Sequence, residues 1–521
     1  MRSLLLISVV AALVLVGARE APAFQPNRIK LGPVLVSGKL GEKFFYDSNI
    51  FNRGDSLANV EDYIYNFSGQ IALSVDRTRV PFRRLPVTDP RFLTSSFLVE
   101  QLLDIYEYRN GRGGIDLPAS ELPVINPFAD SVRALHTERL SASLGYGIDT
   151  YNFGRKPEFN SIDHIAVADF AYRAPAGFGV RVFDKFLLGN SVTSFRNQSV
   201  SLDTPSFRGI GTGFFQNTLL VDADYEVLDD YFLRVDYVWL RVEYDSSLIP
   251  ELPSDFFPGT TLPLIESQFD AKLLGFDVHD VTFSVVATPF AHTVITGAVI
   301  LGFIQGRING ERIDIAGGQV ATIEIPNDPR DARTIETQLI FQRSFSPKTR
   351  LSASVGFQRR DFTYNRIDVV TILNQPPPQP PQRIVSSVRN RDRIAPIGSV
   401  ELLWRMDPFT TFILGYRRGL ATSSTLDSLV TINPAYFNVQ QRFGRKILAT
   451  AGTILDFQQI DTGFVNQDHT DRFFKAFVNL RYDLQTWLSF LASYEFVDNK
   501  SEVRSNDYSL HRANAAGKFR F

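Results

Sequence analysis

Apolar and polar residues alternate with a period of two along most of this chain. In residues 350–358 the odd positions carry leucine, alanine, valine and phenylalanine, whereas the even positions carry arginine, serine, glycine and glutamine. Residues 233–239 and 474–482 show a similar alternation. Because successive side chains of a β-strand point to opposite faces, the pattern predicts strands with one apolar and one polar face. We therefore predict an all-β chain.

The predicted strands are joined alternately by short and long connections. Short ones contain turn residues, as in Asp229-Asp230 and Ser346-Pro347-Lys348, and longer polar loops occupy 246–266, 307–330 and 365–390. Outer-membrane barrels have this arrangement, with short turns on the periplasmic side and long loops outside. Two strands in the first part of the chain and sixteen in the rest predict a closed antiparallel transmembrane β-barrel of about 18 strands, within a range of 16 to 20.

Residues 507–521 predict the strand that closes the barrel. Small residues, Phe519 and Phe521 fall on one face of this strand, whereas Lys518 and Arg520 fall on the polar face. A closing strand can anchor terminal aromatic side chains in the girdle at the membrane interface. The terminal phenylalanine also resembles the signature of bacterial outer-membrane barrels that the barrel assembly machinery reads. We therefore assign barrel closure and assembly to Phe519 and Phe521, with an ordinary edge strand as the alternative.

The N-terminal segment predicts export. A basic residue precedes an apolar run over Leu4–Val16, and small residues follow it. The run is too short to cross a bilayer comfortably, and its order is that of a secretory signal peptide. Ala21-Pro22-Ala23 fits the cleavage site, with Val16-Gly17-Ala18 as a competitor. We predict a signal peptide over 1–23 and an outer-membrane barrel over 24–521.

Residues 80–135 interrupt the alternation. The segment contains six prolines and the glycine-rich stretch Gly111–Gly114, and Phe92–Tyr108 has a helical stripe of apolar residues. We predict a Pro-rich, partly helical insert at a periplasmic connection. It would either plug the lumen or dock periplasmic components, and a folded turn with no further role is the alternative.

Composition excludes several classes of function. The chain contains 54 Lys and Arg residues and 56 Asp and Glu residues, which gives a formal charge of −2. It therefore lacks the excess of basic residues that is typical of nucleic-acid-binding proteins. The absence of cysteine excludes disulfides and thiolate metal sites. The six histidines show no metalloprotease spacing, and the chain has no nucleophile elbow or P-loop. We therefore predict no metal site, no cofactor, no nucleic-acid partner and no enzymatic activity.

Two stretches near the N-terminus carry a family resemblance. KLGEKFFYDSNIF at Lys39–Phe51 and EDYIYNFSGQIALSVDR at Glu61–Arg77 flank a loop containing glycine and aspartate. Together they resemble the opening of a family of porin-like bacterial outer-membrane β-barrel proteins. Some members of that family accompany exopolysaccharide or exosortase systems. The resemblance implies a barrel in the outer membrane more firmly than it implies an activity.

Charged residues on the polar phase of the strands are the candidate functional residues. A water-filled lumen needs charges of both signs for hydration, and a row of arginines could also favour anionic solutes such as acidic sugars. The pore-lining candidates are Arg181, Arg234, Asp236, Arg350, Glu401, Arg405, Arg417, Arg481, Glu495, Lys518 and Arg520.

The leading prediction is a porin-like channel in the bacterial outer membrane for passive or gated passage of small polar solutes. One alternative is an outer-membrane subunit of a polysaccharide-export or electron-transfer conduit with periplasmic partners. Another is a barrel hydrolase whose catalytic groups come from neighbouring strands. The expected partners are outer-membrane lipid, the barrel assembly machinery, a small polar solute and, for the first alternative, a periplasmic export partner.

Overall fold

The computed structural model describes the barrel strands and their short turns. The described residues are 29–31, 34–48, 61–75, 140–155, 157, 160–174, 177–189, 214–228, 230–244, 248–249, 269–270, 275–290, 292–306, 311–315, 321–325, 331–346, 348–364, 366–373, 382–389, 392–422, 428–444, 446–462, 469–485, 487–502 and 507–520. The predicted signal peptide, the predicted insert 80–135 and Phe521 lie outside these residues.

The described chain is built from strands. In chain order they are β1 (Ile29–Leu31), β2 (Val34–Asp47), β3 (Asp62–Ser74), β4 (Leu140–Phe153), β5 (Ser161–Arg173), β6 (Phe178–Gly189), β7 (Phe214–Leu228), β8 (Tyr231–Tyr244), β9 (Leu248–Ile249), β10 (Phe269–Asp270), β11 (Phe276–Phe290), β12 (Thr293–Gly306), β13 (Glu311–Ile315), β14 (Ala321–Ile325), β15 (Ala332–Ser346), β16 (Thr349–Phe362), β17 (Arg366–Leu373), β18 (Gln382–Arg389), β19 (Arg393–Arg405), β20 (Thr410–Thr422), β21 (Ser428–Ile432), β22 (Pro434–Phe443), β23 (Ile447–Thr462), β24 (His469–Asp483), β25 (Leu488–Ser501) and β26 (Tyr508–Arg520).

One antiparallel sheet closes on itself to form the barrel. Its first long strand, β2, pairs with its last, β26, in a register that runs from Lys39 opposite Arg520 to Asp47 opposite Arg512. Strands β21 and β22 both lie between β20 and β23, so they form one barrel strand interrupted at Asn433. The short β1 only extends the edge of β2. The barrel therefore has 18 strands, which confirms the predicted architecture.

The predicted alternation appears as two faces of the barrel wall. On β8, Leu233 and Val235 are 49% and 42% exposed, whereas Arg234 and Asp236 are 2% and 0% exposed. In a closed barrel the enclosed set of side chains faces the lumen and the exposed set faces outward.

The outward face is apolar around the barrel. Large side chains that are about half exposed on it include Leu144, Val285, Leu339, Val355 and Val478. A closed barrel with such a band pairs its backbone groups internally and presents apolar side chains to lipid. The chain is thus an outer-membrane β-barrel protein. Among the described residues, no helix has the length and apolarity needed to cross a bilayer.

Short turns lie at the end of the barrel where β26 terminates, which is the periplasmic end of an outer-membrane barrel. Two of these turns place glycine at positive φ, Gly177 at 84° and Gly444 at 60°. Glycine adopts this left-handed conformation without the steric cost that a Cβ atom brings. His292 adopts it as well, with φ of 64°.

Two long connections at the opposite end contain strands that the sequence prediction treated as polar loops. The hairpin β13–β14 pairs through β14 with the hairpin β17–β18, giving a four-stranded antiparallel sheet. Residues 311–315 have the sequence ERIDI, in which apolar and polar residues alternate. This alternation is too short to distinguish a strand from a loop unless the partner strand is known. Pairing between two separate loops therefore decides the local structure here.

A network of ion pairs on the lumen side spans the seam between the first and last strands. Arg512 Nε lies 2.9 Å from Asp47 Oδ2, and Arg512 Nη1 lies 3.1 Å from Glu495 Oε1. Glu495 Oε2 in turn lies 2.7 Å from Lys475 Nζ. Asp47 and Lys475 are buried, so each charge depends on its partner for compensation.

We expect the Asp47→Ala substitution to weaken the seam. Arg512 would lose its contact to the first strand, and the free energy of unfolding should fall by about 3 kcal/mol. Urea unfolding of the barrel in phospholipid vesicles measures this loss. The matched control is Arg155→Ala, which breaks the exposed ion pair with Glu61 and should leave the free energy of unfolding close to that of the wild type. Equal effects of the two substitutions would contradict a special role for the seam network.

The turn between β19 and β20 is held by one aspartate. Asp407 Oδ1 accepts the backbone N–H groups of Phe409 and Thr410, each at 2.7 Å, and its Oδ2 accepts the Thr410 hydroxyl at 2.9 Å. The hydrogen bond from the Phe409 N–H chiefly lowers the pKa of Asp407, and those from Thr410 act in the same direction.

This lowered pKa predicts the pH dependence of the turn. A group whose pKa is lower in the folded state stabilises that state above its unfolded pKa, and the contribution is lost as pH falls through the folded value. We expect Asp407→Asn to be less stable than the wild type at neutral pH and to converge with it in acid, once pH has fallen through the lowered pKa of Asp407. Unfolding midpoints measured across a pH series test this, and a difference that persists in acid would contradict it.

Candidate functional site: the charged lumen wall

The structure places the predicted charged residues on the lumen face wherever it describes their side chains. These are Arg181, Arg234, Asp236, Arg350, Glu401, Arg405, Arg417, Arg481, Glu495 and Lys518, each in phase with the enclosed residues of its strand. For Arg520 only the backbone is described. Phe519 lies on the outward face, where its ring packs edge-on against Trp487 with centroids 5.3 Å apart.

One part of the lumen wall is acidic. On β4–β8 and β11 the described lumen-facing carboxylates are Asp149, Asp163, Asp169, Asp222, Asp224, Glu226, Asp236 and Asp280. The described lumen-facing cations on the same strands are Arg181, Lys185 and Arg234. We call this region the acidic wall.

Arg181 is fully engaged within the acidic wall. Its Nε lies 2.8 Å from Asp169 Oδ1 and its Nη2 lies 3.2 Å from Asp169 Oδ2, a two-point contact between neighbouring strands. Both side chains are buried. Such a fork-to-carboxylate pair fixes geometry as well as charge. Arg181 therefore adds no net positive charge to this wall.

Arg234 bridges two carboxylates of the same wall. Its Nε lies 2.5 Å from Asp236 Oδ1, and its Nη2 lies 3.5 Å from Asp222 Oδ1. Asp222 and Asp236 are directly opposite each other on β7 and β8. Two adjacent buried carboxylates repel, so the guanidinium between them offsets a cost that would otherwise destabilise the pairing of these strands.

A second part of the lumen wall is basic. On β16, β19, β20 and β22 the described lumen-facing cations are Arg350, Arg360, Arg393, Arg405, Arg417 and Arg442. Glu401 is the lumen-facing carboxylate described on these strands. We call this region the basic wall. Six barrel strands separate β7 from β20 in one direction and ten in the other, so the two walls roughly face each other across the lumen.

Glu401 is tied into the basic wall by a tyrosine. Tyr436 on β22 donates a hydrogen bond from its hydroxyl to Glu401 Oε2 at 2.6 Å. Its ring crosses Gly415 on the intervening strand β20, where a Cβ atom would collide with it. Gly415 is thus required by the close approach of the ring, and the tyrosine links three consecutive barrel strands.

We expect Tyr436→Phe to destabilise the barrel by about 1–3 kcal/mol, because the buried Glu401 would lose a hydrogen-bond donor. The free energy of unfolding in vesicles measures the effect. The control is Tyr416→Phe, which removes a longer hydrogen bond of 3.3 Å from an exposed tyrosine to Asn433. A loss from Tyr436→Phe no greater than that of the control would contradict the proposed role of the Tyr436 hydroxyl.

The sequence analysis predicted which strand positions carry the polar residues of the lumen, but it named only a few of the lumen-facing carboxylates. The missed carboxylates of the acidic wall lie on the same polar phase as Arg181 and Arg234, so alternation alone could have indicated them. Their grouping could not be seen, because it depends on which strands are neighbours in the closed sheet. Within the described part of the chain, no group of three or more histidines and carboxylates has the arrangement of a metal site.

Comparisons by sequence return no relative: no family model matches the chain, and no curated protein matches it. The resemblance to the porin-like family therefore stays a prediction.

Solved structures similar to this chain include two import or uptake receptors and an outer membrane protein. One is the ferric-catecholate import receptor Fiu from E. coli K12 in its open form, at 7% identity and a TM-score of 0.41, covering 95% of this chain and 82% of that one. Another is the ferric yersiniabactin uptake receptor FyuA from Yersinia pestis, at 6% identity and a TM-score of 0.44, covering 92% and 65%. A third is a loop-deletion mutant of OmpT, an outer membrane protein of Vibrio cholerae, at 7% identity and a TM-score of 0.33, covering 94% and 99%.

Proposed function

We propose that this protein is a porin-like channel that lets small polar solutes cross the outer membrane. The observation that carries the proposal is the closed 18-stranded barrel whose lumen face bears an acidic wall and a basic wall. Barrels of roughly 16–18 strands enclose an aqueous channel. Charged walls keep such a channel hydrated and set its selectivity, so transport follows without covalent chemistry.

The distribution of charge refines the predicted selectivity. A continuous row of arginines favouring anions would require Arg181 and Arg234 to act as free cations, yet both are held by carboxylates. The arginines of the basic wall and the carboxylates of the acidic wall instead create two paths of opposite sign. We propose that cations pass along the acidic wall, anions pass along the basic wall, and dipolar solutes are oriented between them.

Ion selectivity measured in planar bilayers tests this function. In one variant, Asp163→Asn, Asp224→Asn and Asp280→Asn neutralise three carboxylates of the acidic wall. We expect the cation-to-anion permeability ratio of this variant to fall roughly twofold, because the basic wall then dominates the field. The opposite variant, Arg350→Gln with Arg405→Gln and Arg417→Gln, should raise the ratio by a similar factor.

The control is Arg343→Gln, an outward-facing arginine near the periplasmic end that stacks over Phe345. Its substitution should leave the reversal potential unchanged. A barrel that conducts no ions would contradict the channel itself. A conducting barrel whose reversal potential is the same in both lumen variants would contradict the two-path selectivity and leave a hydrated, unselective pore.

A further inference from the structure

Three hydrogen bonds between tyrosine and histidine recur on the outward face of the barrel. The tyrosine hydroxyl and the histidine Nδ1 are 2.7 Å apart in Tyr146–His164, 2.9 Å in Tyr237–His279 and 2.7 Å in Tyr494–His511. All six residues are in phase with the exposed apolar residues of their strands. Polar pairs on a lipid-facing surface are uncommon, so a repeated arrangement requires an explanation.

The three pairs share one geometry. In each, the histidine lies directly opposite a residue that follows the tyrosine by two positions, so the pair is a diagonal contact between adjacent strands. Each histidine is the fourth residue of a strand that descends from the long-loop end, namely β5, β11 and β26. The three histidines therefore all lie near the long-loop ends of their strands.

On β11 and β26 this position is the outer edge of the apolar band. Below His279 the outward residues of β11 are Val281, Phe283, Val285 and Ala287, whereas the residue above it is Asp277. Below His511 the outward residues of β26 are small or aromatic, and the residue above it is Ser509. His279 and His511 thus mark the level at which lipid tails give way to headgroups on the external side, whereas on β5 the exposed Ile162 extends the apolar face one position above His164.

Arginines occupy the corresponding position at the long-loop ends of β8, β16 and β24. Arg472 is the fourth residue of β24, and Arg241 and Arg359 are the fourth residues from the upper ends of β8 and β16. All three face outward. Outward carboxylates at this edge contact two of them: Glu243 pairs with Arg241 at 2.5 Å, and Asp361 pairs with Arg359 at 2.8 Å. The opposite edge of the band is aromatic instead, with outward residues that include Tyr172, Tyr225, Tyr231, Tyr482 and Phe519.

The chemistry of the pair defines what it can hold. A tyrosine hydroxyl that donates to Nδ1 fixes the neutral imidazole as its Nε2–H form, which leaves a donor at the far side of the ring. Neighbouring aromatic rings limit rotation of two of the histidines: Trp239 stacks on His279 with centroids 6.4 Å apart, and Phe496 lies 5.0 Å from His511. In this Nε2–H tautomer, each of the three histidines offers one N–H donor near the long-loop end of the barrel.

We propose that this donor belt, His164, His279 and His511 with their tyrosine partners and Arg472, docks phosphate-bearing lipid headgroups of the outer leaflet. Phosphate oxygens are strong acceptors that match imidazole and guanidinium donors. The acyl chains of the same lipid would cover the apolar band directly below. One lipid molecule would therefore contact both the donor belt and the apolar band. The belt thus acts through the outer face and is independent of any flow through the lumen.

Lipid retention by the full-length barrel tests the proposal. The purified protein is incubated in mixed micelles with bisphosphorylated lipid A or with its dephosphorylated form, and retained lipid is counted by native mass spectrometry. We expect the wild type to retain the phosphorylated form about tenfold more strongly. The triple variant Tyr146→Phe, Tyr237→Phe, Tyr494→Phe keeps the rings and loses the hydroxyls, so its preference should fall to about twofold or less.

The matched control is the triple variant Tyr172→Phe, Tyr231→Phe, Tyr482→Phe at the opposite edge, which should keep the wild-type preference. Heat-modifiable migration in detergent verifies that each variant forms the barrel. Equal retention of both lipids by the wild type, or an unchanged preference in the belt variant, would overturn the proposal. Inorganic phosphate at millimolar concentration should leave the retained lipid in place, and displacement by it would show a free-phosphate site rather than a lipid dock.

Discussion

The structure depends on the backbone hydrogen bonds that join the first long strand to the last. In hydrocarbon, an unpaired N–H or C=O group costs several kcal/mol, so a sheet can remain in a membrane only if it has no free edge. Here the register from Lys39–Arg520 to Asp47–Arg512 removes that edge. Closure also divides the side chains into an enclosed set and a lipid-facing set, and the lumen, its charges and the outer belt all follow from that division.

The charged lumen shows how much a closed wall constrains its residues. Charges on the enclosed face are partly desolvated, so each needs an opposite charge on the same or a neighbouring strand. Asp169 meets this requirement for Arg181, and Asp47 and Glu495 meet it for Arg512. Carboxylates nevertheless outnumber cations in the acidic wall, and arginines outnumber carboxylates in the basic wall. That uneven distribution of charge, rather than any single residue, is the basis of the proposed selectivity.

The sequence was sufficient to predict features that depend on the local succession of residues. It did not predict contacts that depend on the register between strands. Alternation and loop length were sufficient for the strand type, the closed barrel of 18 strands and the lumen phase of residues such as Arg417. The Tyr146–His164 contact spans 18 positions and requires both the identity of the neighbouring strand and its alignment. A slip of one residue would move either side chain to the other face. The sheet formed by β13, β14, β17 and β18 was missed for the same reason, because its partners lie in different loops.

One rule explains the polar groups on both faces of the wall. On the lipid side, Glu42 accepts a hydrogen bond from Tyr65 of the next strand, and Asp184 accepts one from Asn217 at 2.9 Å. Apolar residues flank Glu42 along its own strand, so the carboxyl group could not rely on water for a partner. Cross-strand donors thus satisfy isolated carboxyls within the band, just as cross-strand arginines satisfy those in the lumen. At the outer edge, tyrosine donors from the neighbouring strand likewise engage Nδ1 of each histidine, and the Nε2–H of that tautomer is the donor on which the proposed lipid site rests.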